Sequence, residues 1–207
     1  MSQTPEEPRY DEYRNFAFHP HNIYLMLLLF SLSVLFLALS GAFVYTRVQN
    51  GLPPVKLPWL FAFNTVILLG SSWAMLQAKK AYLDDQTERY QGMLIMTIVL
   101  SLVFMGAQGL AWFQLFKQQI YIHSDPSAGY LYVISALHFA HVIGGLPFLG
   151  LFLWKAYKYM KEPVSVLVYF SDPEKRLRLR LLTIYWHFLD ILWIYLVIFF
   201  YVNYFVQ

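Results

Sequence analysis

Five stretches of this chain, roughly 23–45, 57–77, 93–116, 130–154 and 181–205, are almost unbroken apolar sequence. A run of ~20 apolar residues is long enough to cross the ~30 Å hydrocarbon core of a bilayer as a helix. In hydrocarbon every backbone N–H and C=O must find its partner within the protein, so only helices and closed barrels can span. These runs are too long and too uniformly apolar for barrel strands, which alternate over about ten residues. The expected fold is therefore all-α, a polytopic membrane protein of five transmembrane helices. Composition points the same way: 13% of residues are charged, against about 25% in an ordinary soluble domain.

Residues 1–22 read as a polar, proline-bearing N-terminal tail, and 23–207 as the transmembrane domain. The tail lacks the basic start, short apolar core and small-residue cleavage site of a signal peptide, so the first span is expected to act as its own insertion signal. Proline and glycine mark the connections GLPPVKLP and SDPSAG. Twelve basic residues fall on one side of the five spans: Arg9, Arg14, Lys79, Lys80, Arg89, Lys155, Lys158, Lys161, Lys175, Arg176, Arg178 and Arg180. Only Arg47, Lys56 and Lys117 fall on the other. Lys and Arg accumulate in cytoplasmic loops, which puts the N-terminus inside and the C-terminus outside. The fourth loop is the only long one, and its EKRLRLRLL segment alternates Arg with Leu. It reads either as a topology signal with snorkelling arginines or as a contact for anionic headgroups or an acidic partner. Lys79, Lys80, Arg176, Arg178 and Arg180 are the candidate headgroup contacts. No internal repeat suggests an inverted-repeat transporter.

Within the spans the only carboxylate is Asp190 and the only histidines are His138, His141 and His187. An Asp at a helix centre costs at least ~3 kcal/mol, so its presence demands a reason. A proton channel or pump would show a chain of such groups, and one Asp is not a chain. A haem pair would need two histidines at one depth. At ~1.5 Å per residue, His138 and His187 differ in depth by roughly 9 Å, whereas His141 and Asp190 come out nearly level. The expectation is that His141 and Asp190 meet across the fourth and fifth spans, relieving the burial cost of both. His138 and His187, each three residues before one of these, would complete a polar cluster. Helix–helix glue, a metal site and a proton-linked role all remain open for it, although the depth spread argues against the metal.

Small residues at four-residue spacing let helices approach closely in lipid. They occur as Ala136, Ala140 and Gly144, followed by Gly145, and as Gly70, Ala74 and Ala78. Gly106, Ala107, Gly109 and Ala111 enrich the third span. Trp186 and Trp193, seven residues apart, read either as flanking one groove or as lipid- or partner-facing aromatics. No GxGxxG or Walker sequence appears, and the absence of cysteine excludes disulfides, thiolate metal sites and a cysteine nucleophile.

Three motifs carry a resemblance. YWHFLDILWIYL (185–196) resembles the last-helix signature of subunit III of haem–copper oxidases, through Tyr185, Trp186, His187, Phe188, Asp190 and Trp193. GYLYVISALHFAHVIGG (129–145) is similar to the same family's His-x-x-His-Val-x-x-Gly helix, through His138, His141, Val142 and Gly145. FNTVILLGSSWAM (63–75) resembles its second-helix stretch, and Gln108 and Trp112 fall where the family has a Gln and an aromatic. The length resembles the short five-helix bacterial form of cytochrome c oxidase subunit III. Two departures stand out: Ser33 and Ala111 occupy positions where the family commonly has glutamates.

The resemblance implies an accessory, non-redox subunit of a complex that reduces dioxygen to water and translocates protons in aerobic respiration. Haems and copper would belong to partner subunits. Three intramembrane histidines and no cysteine could not supply two haems, their copper partner and a dicopper thiolate site. The implied partners are oxidase subunit I above all, subunit II and other oxidase subunits, phospholipids, and a supercomplex with a quinol:cytochrome c oxidoreductase; no nucleic acid is implied. Bound phospholipid is expected in a cleft between helices 1–2 and helices 3–5, in a multi-pass protein of the bacterial cytoplasmic membrane. Two alternatives stay open: subunit III of a quinol oxidase or a nitric oxide reductase-associated homologue, and a free-standing membrane carrier.

Overall fold

The computed structural model describes residues 20–52, 55, 57–160 and 162–205; Arg9, Arg14, Lys56 and Lys161 lie outside them. All described elements are helices: α1 Pro20–Asn50, α2 Leu60–Leu83, α3 Thr87–Lys117, α4 Pro126–Tyr159, α5 Pro163–Ser171 and α6 Pro173–Phe205. The five long ones are long and apolar enough to cross a membrane. Each contains most of its predicted span, and all but α2 extend beyond it at both ends or at the start. In helix the EKRLRLRLL segment becomes the opening turns of α6. The expected long fourth loop is thus largely helical, because Pro163 and Pro173 each preset the first turn of a helix.

The helix ends follow a common device. Gly51, Asp85 and Gln119 have positive φ (57°, 55° and 62°) just past α1, α2 and α3. In each case the next N–H reaches back five residues: Leu52 to Arg47 O (3.1 Å), Gln86 to Ala81 O (2.9 Å) and Ile120 to Leu115 O (3.0 Å). This satisfies a carbonyl that the helix leaves unpaired. At the start of α4, Asp125 accepts from the Ala128 N–H (2.8 Å) with Pro126 following, the side-chain cap that SDPSAG encodes.

Packing divides the bundle differently from the expected 1–2 against 3–5. Helix α2 packs most extensively on α3, and next on α6, while α1 packs on α4 and α6. The reason lies in α1 itself, which buries only Leu32, Phe36, Ser40 and Phe43 along one seam. Phe43 meets Tyr130, Phe199 and Phe200 edge-on at 6.3, 5.5 and 5.8 Å. The rest of α1 is apolar and exposed, Met26 at 75% and Phe30 at 68%, as suits a surface whose solvent is lipid or a neighbouring protein. The short α5 docks through Tyr169 and Phe170. Tyr82 donates to the Tyr169 carbonyl (3.1 Å) and its ring lies 5.0 Å from Phe170.

The small-residue stripes also resolve. Ala74 and Ala78 are buried, and a Cβ on Gly70 would lie 3.5 Å from Leu100 of α3. Ala136, Ala140 and Gly144, expected to mediate packing, face outward. Gly145 makes the close approach instead: a Cβ there would lie 2.8 Å from the Trp186 ring and 3.1 Å from that of Tyr185.

Asp172 sits at the α5–α6 junction. Its Oδ1 accepts from the N–H of Glu174 (3.0 Å), and its Oδ2 lies 3.1 Å from the Lys175 ammonium. Burial pushes this carboxyl up, but the bonds from Lys175 and Glu174 outweigh it and hold it below the usual carboxylate range. A depressed carboxylate stabilises the fold above its unfolded pKa of about 4, and the effect is lost as pH falls through the lower folded value. Asp172→Ala should therefore cost about 1 kcal/mol at neutral pH, with the difference from the parent shrinking below about pH 4; thermal unfolding in detergent across pH reads this. By the same assay Gln119→Gly should stabilise the chain by about 1 kcal/mol, since a glycine carries no Cβ penalty at positive φ.

Candidate functional site

The residues singled out by their cost in lipid are distributed over the seams between helices. His138 is fully buried, and its Nε2–H donates to the Leu189 carbonyl of α6 at 3.1 Å. His141 Nδ1–H donates within α4, to the Leu137 carbonyl at 2.7 Å, and its ring lies edge-on to Phe36 of α1. On α6, His187 Nδ1 and the Ser72 hydroxyl of α2 share a hydrogen bond of 2.6 Å. Asp190, 4% exposed, lies beside the same Ser72, and its Oδ2 is 4.0 Å from His187 Nδ1.

The expected His141–Asp190 pair does not form. The two side chains turn to different neighbours, His141 toward α1 and Asp190 toward α2. Three residues along a helix is a rotation of about 60° from alignment, enough to place His138 in the α4–α6 seam and His141 at α1. The four residues thus do not make one cluster: His187 and Asp190 come together, while His138 and His141 bond elsewhere. Among the described residues no group of three His, Cys, Asp or Glu side chains could hold a metal ion.

The basic residues separate as well. Lys79, Arg176 and Arg180 line one basin beside α2, α5 and α6, whereas Arg178 lines a second cavity and pairs with Glu174. Lys80 is exposed and lines neither.

Several residues emerge as functional in packing that their sequence context only hinted at. The Asn64 amide donates to Gln108 Oε1 at 2.8 Å, tying α2 to α3. The Trp112 indole donates to Ser135 Oγ at 3.1 Å, tying α3 to α4. Tyr185 donates to the His141 carbonyl at 2.9 Å, and Trp186 to Ser71 Oγ at 3.0 Å. Trp193 stacks on Phe61 of α2 (5.7 Å), meets Phe104 of α3 edge-on (5.2 Å) and lies 4.9 Å from the His138 ring of α4. The two tryptophans expected to face lipid or a partner are thus buried, at 2% and 1% exposure. Asn64 and Ser71 are seven apart, on one face of α2, which was the available signal.

Each seam carries its own test. Interhelical hydrogen bonds in membranes are worth about 0.6 kcal/mol on average and up to about 1.7. A double-mutant cycle of Ser72→Ala with His187→Phe should show a coupling of about 1 kcal/mol. The cycle of His141→Phe with Asp190→Asn should show coupling within about 0.3 kcal/mol of zero. Unfolding of the purified chain in detergent measures both, and a large second coupling would restore the discarded pair.

Comparison with known proteins sets this arrangement in context. The family model described as "Cytochrome c oxidase subunit III" matches residues 20–204, which includes every interhelical bond just described. The chain is 28% identical over 189 residues to cytochrome c oxidase subunit 3 of Neurospora crassa, covering 86% of this chain and 65% of that protein. It is 27% identical over 181 residues to the Synechocystis sp. protein of the same name, covering 84% and 72%. The Arabidopsis thaliana protein of that name is 29% identical over 140 residues, covering 67% and 48%. The matches thus span less than two thirds of the Neurospora relative's length and about half of the Arabidopsis one's. With the match running from the start of α1 to the end of α6, the chain belongs to the cytochrome c oxidase subunit III family.

Proposed function

We propose that the chain is the accessory, non-redox subunit III of a proton-translocating terminal oxidase in a bacterial cytoplasmic membrane. Its N-terminus would lie inside, and it would stabilise the catalytic subunit that reduces dioxygen. The observation that carries this reading is how the intramembrane histidines are used. All three spend a ring nitrogen on bonds that join or brace helices of this chain: Leu189 O, Leu137 O and Ser72 Oγ. These are the bonds of a scaffold, and the reading assigns haem and copper to partner subunits. Subunits I and II are the partners the reading requires. The wide exposed faces of α1 supply apolar surface on which a partner or lipid can pack.

Lipid binding belongs to the same reading. A cavity of about 760 Å³ opens between the start of α1, α4 and the start of α6. Leu25, Leu28, Phe148, Leu151 and Leu182 give it an apolar interior, and Lys155, Lys175, Arg178, Asp172 and Glu174 a charged rim of both signs. An apolar interior below a mixed-charge rim suits a phospholipid with a zwitterionic headgroup. On this reading the lipid sits here rather than in a cleft between helices 1–2 and 3–5.

The test is to tag the chain, extract it in mild detergent and record the reduced-minus-oxidised spectrum of what co-purifies. Haem bands with oxygen consumption are expected, and the substrate supporting turnover, cytochrome c or quinol, names the donor. A colourless preparation, under conditions that keep other membrane complexes intact, would overturn the assignment.

A further inference from the structure

The charges around the opening of α6 are not distributed evenly. Arg176, Arg178 and Arg180 alternate in sequence, but on a helix 100° per residue separates them into two faces. Arg176 and Arg180, four apart, share one face, and Arg178 points to the other. Between them Leu177 and Leu179 are buried, at 4% and 1% exposure. On the Arg178 face every cation of this stretch has an acid: Arg178 pairs with Glu174, and Lys175 with Asp172 at 3.1 Å. On the opposite face Arg176 and Arg180 meet Lys79 from the last turns of α2 around a basin of about 430 Å³. No carboxylate lines it. None of its three cations has an ion pair or a hydrogen bond among the described residues.

Three like charges around one concavity repel one another, so the arrangement is stabilised by an anion placed among them. The floor tells what the anion is attached to. Leu83, Phe170 and Leu177 line the basin with the cations. Leu76 lies one turn from Lys79 on the same face of α2, and Ile184 one turn from Arg180 on the same face of α6. Both are exposed, at 50% and 39%, so an apolar track continues from the cations toward the membrane interior. A free phosphate ion would use the cations and leave the track bare. A phosphodiester carrying acyl chains would use both.

We propose that the basin formed by Lys79, Arg176 and Arg180 is a binding site for the phosphate headgroup of an anionic phospholipid, separate from the mixed-charge cavity between α1, α4 and α6. The occupant clamps the end of α2 to α5 and the start of α6. The inference rests on charge placement in this chain and stands whether or not the oxidase reading does.

The experiment is a lipid titration of the purified full chain in detergent, followed by native mass spectrometry, with phosphatidylglycerol, phosphatidylethanolamine and inorganic phosphate as probes. Phosphatidylglycerol should bind in preference to phosphatidylethanolamine. A basic residue near an anionic lipid is worth about fivefold in affinity, so Lys79→Gln, Arg176→Gln and Arg180→Gln together should weaken phosphatidylglycerol on the order of 100-fold. Arg180→Lys, which keeps the charge, should retain binding, and controls at Lys80→Gln and Arg89→Gln, which line neither cavity, should change it less than about twofold. An unchanged affinity in the triple variant overturns the site. So does an equal loss in the controls, which would mean non-specific attraction to the basic end. Displacement of bound phosphatidylglycerol by millimolar inorganic phosphate, with no preference between the two lipids, overturns the lipid and leaves a free-anion site. Helix content by circular dichroism identifies a variant that has lost its fold, in which case Arg180→Gln alone, with its expected fivefold loss, decides.

Discussion

In hydrocarbon, apolar side chains gain nothing by leaving lipid for one another, so helices associate through close packing and interhelical hydrogen bonds. Everything else in this chain follows from how those bonds are arranged. Asn64 reaches Gln108 from α2 to α3, Trp112 reaches Ser135 from α3 to α4, His138 reaches Leu189 from α4 to α6, and between α6 and α2 Trp186 donates to Ser71 while His187 and Ser72 share a bond. The four helices are closed into a ring with at least one polar bond at every junction. Trp193 fills the middle, touched by a ring from α2, α3 and α4. An ionisable group within such a ring is one more member of a polar seam, which is the reason Asp190 sits beside Ser72 and His187.

The fifth long helix stands outside this ring. Helix α1 joins α4 and α6 by aromatic edges at Phe36 and Phe43, and by the Arg47 guanidinium donating to the Asn203 carbonyl at one end. Where the ring is tight it is tight to the atom: Gly145 leaves no room for a methyl group beside Trp186. Where α1 lies the contacts are looser and the apolar surface wider. The chain thus combines a fixed core of four helices with a fifth whose outer face is available to other molecules.

The five spans were legible in the sequence because length and apolarity are sufficient for a bilayer helix. The short α5 was not. PVSVLVYFS is brief and rich in valine, and only its docking on Tyr82 distinguishes it from loop. The residues of the polar seams were legible too, since each is costly or unusual in a span. Their pairing was not. Counting residues gives the depth of a side chain but not the direction in which it points. His141 and Asp190 are level and face different helices. The tryptophans were misread for a related reason: an indole at a membrane helix surface and one in a helix seam look alike until the hydroxyl that receives its N–H is placed. The arginine alternation of α6 became informative only once the segment was known to be helical, which divides Arg178 from Arg176 and Arg180.

The separation of α1 from the ring bears on how the protein is made. Helix α1 leaves the ribosome before its partners exist; Arg47 and Asn203 are 156 positions apart. During synthesis of α2 and α3 it must reside alone in the bilayer. It is suited to that wait, for it is the most apolar of the five and residues 23–45 contain no Asp, Glu, His, Lys or Arg. Helix α2, with Asn64, Ser71 and Ser72, is the least apolar, and it is followed at once by α3, its most extensive partner. The order of helices along the chain thus matches tolerance for solitude: the segment that waits longest is the one that lipid alone can satisfy.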